Sequence, residues 1–247
     1  MYFDLPSTLA YTKALSTLSS LAHSFAIDLF LIPDFTTLHP ASAILSSTAV
    51  LLGAQNTSPH TTGPYTGEVS PQTLSQLGVR IVEIGHAERR ALFHETDADV
   101  AAKASAVVQH GMIPLVCIGE KATPGSVASR AVGLALLEVI PQIKAVFAAV
   151  PPDAEIVLAY EPVGANGAKE PAGSDHVLGV VRGLRTIVDG FARTGVVRIL
   201  YGGSAGPGTW AGLRGVEGNE GVDGLFLGRF GHEIANLEKV ILEIGEA

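Results

Sequence analysis

The sequence predicts an α/β chain built on a buried parallel sheet. Three observations carry this: short apolar runs recur along the chain, the runs are continuous rather than alternating, and helical patterns separate them. The runs lie at 27–32, 50–54, 81–84, 113–118, 156–160, 196–201 and 224–227. Their length suits strands, and their unbroken apolar character suits strands covered on both faces.

Between the runs, apolar residues return every three or four positions. Leu136, Ile140, Ile143, Phe147 and Val150 form one such stripe, and Val177, Val180, Leu184, Ile187 and Phe191 form another. Ser7-Thr8 and Ser174-Asp175 are expected helix starts, and Gly111 and Gly195 expected stops. The pattern predicts seven strands and eight helices, opening on a helix from Ser7 to Ala22. Alternation of this kind implies right-handed crossovers between parallel strands. Periodicity alone leaves two architectures open, a doubly wound open sheet and a closed barrel with one strand unaccounted for. No linker, low-complexity tract or charge block divides residues 1–247, so one domain is expected.

Composition narrows the function classes. The chain has 247 residues, of which 47% are apolar, enough to bury a full core. Its formal net charge is −8 and it carries no Lys/Arg-rich run, which argues against a nucleic-acid partner. A single cysteine, Cys117, excludes an intrachain disulfide and fits a reducing compartment. No apolar run reaches the roughly 18 residues of a membrane helix. The first residues lack the order of a signal peptide, so a cytoplasmic protein is expected.

In parallel α/β folds the chemistry sits at the carboxyl ends of the strands. The polar and glycine-rich segments fall there: Gly85-His86-Ala87-Glu88-Arg89-Arg90, Glu161-Pro162-Val163-Gly164, Tyr201-Gly202-Gly203-Ser204 and Gly228-Arg229. Singly, each has a bland reading. His86 would be a hydrogen-bonded structural residue, Glu161 a loop cap, Gly-Gly-Ser an ordinary turn, Arg89-Arg90 an ordinary solvated or salt-bridged face and Cys117 a small buried hydrophobe. Together they are more pointed. A carboxylate and an imidazole on different strands can flank one small substrate. Backbone N–H groups at Gly167, Ser204 and Gly228 can converge on a phosphate, since glycine lets the backbone approach closely. A helix after Gly228 would add its N-terminal dipole. That set fits proton abstraction beside a carbonyl with phosphate as the handle.

The segments Gly53-Ala54-Gln55-Asn56, Tyr65-Thr66-Gly67-Glu68-Val69-Ser70-Pro71, Gly85 to Arg90, Cys117-Ile118-Gly119-Glu120, Ala159-Tyr160-Glu161-Pro162-Val163, Leu200 to Ser204 and Asp223 to Gly228 resemble the ordered signature blocks of the triosephosphate isomerase family. The resemblance runs from that family's second strand to its eighth. It implies a (β/α)8 TIM barrel whose first strand would precede Met1. It also implies an aldose–ketose isomerase interconverting glyceraldehyde 3-phosphate and dihydroxyacetone phosphate through an enediolate. Glu161 would be the base, His86 the neutral electrophile and Glu88 a supporting group beside the histidine. Gly167, Ser204, Gly228 and Arg229 would hold the phosphate, and 164–169 would form a lid. The implied substrate is a small phosphorylated sugar, with no cofactor or metal. A homodimer or higher homo-oligomer would form through the loop from Thr57 to Glu68, with Thr66 near the partner's site.

The chain departs from the family pattern in several places. The family's Asn-Trp-Lys-Met block meets this sequence only at Met1, so its active-site lysine would lie upstream, on residues expected in the native protein. Gly164 and Asn166 stand where the lid usually has Trp and Ile, Ala87 where serine is usual, and Arg229 where a second glycine is usual. Glu83, Tyr65 and the Gly228-Arg229 pair look more like the branch that isomerises erythrulose phosphates. Two alternatives to the triose reading follow. One is a four-carbon sugar phosphate isomerase. The other is an inactive sugar-phosphate-binding or structural family member.

Overall fold

The structure is a computed structural model that describes residues 2–121, 128–162, 173–215 and 220–247. The expected lid, 164–169, and Gly167 with it, lie outside the described residues. Seven parallel strands pair consecutively: β1 (Phe30–Leu31), β2 (Leu51–Ala54), β3 (Ile81–Ile84), β4 (Ile113–Ile118), β5 (Ile156–Tyr160), β6 (Val197–Tyr201) and β7 (Gly224–Leu225). Among the described residues, ten α-helices surround the sheet: α1 (Leu5–Ser16), α2 (Ser19–Ser24), α3 (Leu38–Leu45), α4 (Pro71–Gln76), α5 (Ala87–Leu92), α6 (Asp97–Gln109), α7 (Ala128–Ala149), α8 (Ser174–Asp189), α9 (Trp210–Leu213) and α10 (Ile234–Gly245). The curled, all-parallel sheet with helices outside it is that of a TIM barrel, with seven strands among the described residues. The edges β1 and β7 face each other across a cavity of about 690 Å³, where the Phe30 and Phe226 rings meet at 5.8 Å.

Strand alternation sorts the core into two layers. Ile81, Leu115, Cys117, Val157, Ala159 and Leu200 point inward and pack on one another. Val82, Ile84, Val116, Leu158, Tyr160 and Tyr201 point outward beneath the helices. The same alternation carries past the strand ends, so position 161 continues the inward series of 157 and 159.

Three expectations need correction. The opening helix begins earlier than Ser7, because Asp4 caps it by accepting from the Ser7 amide and Pro6 suits its first turn. It also ends at Ser16, and α2 starts anew at Ser19. Gly195 does not stop a helix: α8 ends at Asp189 with Gly190 as its cap. Gly195 instead lets two backbone segments touch, since a Cβ there would lie 2.3 Å from the Ala154 carbonyl oxygen. Gly111 does follow the end of α6, with φ +71°.

Helix α7 is long and apolar enough, by length and composition, to cross a bilayer. Here it is a packing helix: Ala135, Val139, Ile143 and Val146 are buried, and it lies against α6 and α8. Its Gln142 side chain accepts from the Gly119 amide at 3.2 Å and donates to the Gly119 carbonyl at 2.9 Å, tying the helix to the end of β4.

The close approach at Gly195 generates a test. Gly195→Ala should destabilise the fold by about 1–3 kcal/mol, the range for forcing atoms into a packed site. Urea denaturation of the two proteins measures it.

Candidate functional site

Glu161 follows β5 directly and is 4% exposed. Its position is set by backbone on both sides. Its own amide donates to the Ile118 carbonyl at 2.8 Å, and the Gly202 amide donates to the Tyr160 carbonyl at 2.8 Å. The neighbouring strand ends are glycine for a reason of space. A Cβ on Gly119 would sit 2.0 Å from the Glu161 carbonyl oxygen, and one on Gly202 would sit 2.6 Å from the Glu161 Cγ. A side chain at either place would push the carboxylate away.

His86 comes after β3 and caps α5. Gly85 makes the turn at φ +71°, and the Glu88 amide donates to His86 Nδ1 at 3.2 Å. An Nδ1 that accepts cannot carry hydrogen, so the neutral ring bears its proton on Nε2. That nitrogen faces Glu161, with Nε2 to Oε2 at 3.6 Å. Two strands thus bring a carboxylate and an N–H donor to one spot.

Glu88 reaches the histidine through its backbone. Its carboxylate is 74% exposed and lies 3.8 Å from Nδ1. Ser204 follows β6 and lines a cavity of about 320 Å³ with Gly206, Gly208 and Phe230. Gly228 follows β7, borders the larger cavity and precedes a short 3-10 helix, Arg229–His232. Arg229 is exposed. The loops carrying Ser204 and Gly228 meet, since a Cβ on Gly206 would lie 3.1 Å from the Phe230 ring.

Sequence reasoning missed the ion network that holds the histidine turn. Glu95 accepts from Arg89 Nε and Lys103 Nζ, each at 2.7 Å, and from the Gly85 amide at 3.2 Å. Lys103 also donates to Asn56 at 3.0 Å, joining the turn after β3 to the loop after β2. Burial raises the proton affinity of Glu95, but Lys103 and Arg89 outweigh it and hold the carboxyl below the usual range. Arg90 donates to the Gly85 carbonyl at 2.7 Å, completing the clamp. Arg89 and Arg90 therefore take the salt-bridged form of the expected face. Only tertiary placement pairs Glu95 with Lys103; no local motif marks it.

A second buried group lies on the outer side of β5. Tyr160 donates to Glu120 Oε1 at 3.1 Å, and His176 Nε2 approaches the same oxygen at 3.1 Å. Burial, with the Glu120 carboxylate beside it, pushes the Tyr160 hydroxyl well above its ordinary range.

The family model described as triosephosphate isomerase matches residues 1–244. The L-erythrulose-1-phosphate isomerase of Pectobacterium atrosepticum is 36% identical over 98% of this chain and 92% of its own length. The protein of that name from Mesorhizobium japonicum is 40% identical over 81% of this chain and 77% of its own. The triosephosphate isomerase of Chloroflexus aurantiacus is 41% identical over 71% of this chain and 70% of its own.

The clamp under His86 makes a prediction of its own. Lys103→Met leaves the buried Glu95 with one cation in place of two and should cost about 3 kcal/mol of stability. The loss should shrink as pH falls through the depressed folded-state value of Glu95, because that carboxylate stabilises the fold only while ionised. Urea unfolding at several pH values reads both effects.

Proposed function

Because the chain belongs to the triosephosphate isomerase family, we propose that it moves a carbonyl between adjacent carbons of a short phosphorylated sugar. One observation carries the reading: His86 Nε2 and Glu161 Oε2 lie 3.6 Å apart at the carboxyl ends of β3 and β5. A two-carbon unit set against that pair touches both groups. Glu161 takes the proton from the carbon next to the carbonyl. The carbonyl oxygen gains negative charge and accepts from His86 Nε2–H as the enediolate forms. His86 gives its Nε2 proton to that oxygen and takes back the proton of the hydroxyl on the adjacent carbon, so that when Glu161 delivers its proton to the former carbonyl carbon the carbonyl is transposed and both side chains return to their starting states. The backbone at Ser204 and Gly228, with the charge of Arg229 beside it, suits the phosphate.

A four-carbon sugar phosphate is the substrate we favour. The relatives named L-erythrulose-1-phosphate isomerase support it, one of them over 98% of this chain. The Chloroflexus relative, and another named triosephosphate isomerase that is 34% identical over 98% of this chain, support the three-carbon reading. We also propose self-association through the loop from Thr57 to Glu68. His60 and Tyr65 stack there at 4.0 Å, and Tyr65 stays 41% exposed. Tyr65→Asp should lower the mass measured by sedimentation; an unchanged mass would rule that loop out.

Comparing kcat/KM for erythrulose phosphates and glyceraldehyde 3-phosphate tests the substrate. Higher tetrulose turnover is expected, and preferential triose turnover would favour the three-carbon reading. A folded, phosphate-binding chain that turns over neither sugar would overturn the enzymatic reading. Glu161→Asp should lower kcat by about 100-fold, since a retreat of roughly 1 Å misplaces the base.

A further inference from the structure

Glu83 has no part in the chemistry above. It lies on β3 and points inward, in line with Ile81, into a layer otherwise made of Leu115, Cys117, Val157 and Ala159. Its Oε1 is 3.7 Å from Cys117 Sγ, and the residue lines the large cavity. Among the described residues, the titratable groups that face it are Cys117 from β4, Glu161 from the end of β5, and His86 and Glu88 from the turn and α5. The end of β2 adds only the amide of Gln55 at the cavity wall. None of these is a permanent cation.

Donor counting then becomes decisive. The Cys117 thiol is hydrogen-bonded toward both Glu83 and Glu161, yet it has one proton to give. With both carboxyls ionised, two negative charges would share one weak donor inside an apolar layer. Such a pair is relieved when one member keeps a proton. Glu161 has the His86 N–H beside it at 3.6 Å, whereas among the described residues the donor to Glu83 is the thiol. The proton therefore belongs on Glu83.

We propose that Glu83 is a positioning residue that carries the proton shared by the two interior carboxyls, keeping Glu161 ionised as the base and leaving a single negative charge beneath an incoming phosphorylated anion. The proposal rests on the reading of Glu161 as that base. Burial pushes the Glu83 carboxyl up to about 7; His86 pulls it down and Glu161 adds to the rise. As pH climbs through that value, Glu83 ionises and the second charge repels the substrate dianion.

Two measurements test this. The first is the ratio of KM for Glu83→Gln to KM for the unaltered chain from pH 6 to 9, in which titration of the substrate's own phosphate cancels. The KM of the unaltered chain should rise relative to the variant by about tenfold, the size of one added charge several ångströms away at intermediate dielectric. A pH-independent ratio would overturn the proposal. The second is a carbon-13 titration of the glutamate carboxyls, which needs no turnover. The Glu83 signal is assigned by its loss in Glu83→Gln or, should that variant not fold, in Glu83→Met. It should titrate near 7 and move downward in Glu161→Gln. A midpoint near the ordinary carboxylate value, or one indifferent to Glu161→Gln, would sink the proposal. If neither sugar is turned over, the carbon-13 arm still decides it, so failure of the substrate reading and failure of the proton-sharing idea are told apart.

Discussion

The fit of Glu161 between Gly119, which meets its backbone, and Gly202, which meets its side chain, is the constraint on which the rest of the site depends. Three neighbouring strand ends converge there, and the outer two give up their side chains so that the middle one can place a carboxylate inward. A Cβ on Gly119 would overlap the Glu161 carbonyl at 2.0 Å, so the arrangement is possible only with glycine at that strand end. Rigid placement of this kind is what proton transfer needs, because the base must meet one carbon at hydrogen-bond range.

The histidine side is held differently. His86 sits on a turn whose geometry depends on a left-handed Gly85 and on a buried ion network below it. Glu95 satisfies a backbone amide and two cations at once, so its charge is used for shape rather than for chemistry. The helix amide of Glu88 then sets the ring's tautomer. Backbone packing fixes one member of the pair and buried electrostatics fixes the other. The interior layer between them is apolar except for Cys117 and Glu83, so any charge placed there is felt by both.

Much of the fold was legible in the sequence, and the limits have physical causes. Strands β3, β4 and β5 fall where their apolar runs lie, because each is paired on both sides and buried on both faces. The runs at 27–32 and 224–227 shrink to two paired residues each, since β1 and β7 have a neighbour on one side only. The first helix divides at Thr17-Leu18, which an apolar stripe does not reveal. His86 and Glu161 were readable from strand-end motifs, and alternation places both at one end of the sheet. Glu95 with Lys103, and Glu83 with Cys117, were not, because each pair is made by folding and leaves no spacing signature. Ser204 and Gly228 lie at the expected strand ends, on loops that touch through Gly206 and Phe230.

Isotope incorporation tests the proposal that Glu161 carries a proton between adjacent carbons. Turnover of the favoured sugar phosphate in D2O should leave deuterium at the carbon that receives the proton, because a carboxyl that has taken a proton exchanges it with solvent before returning it. Product that contains no deuterium at that carbon would rule out Glu161 as the proton carrier and point to direct transfer of hydride between the carbons.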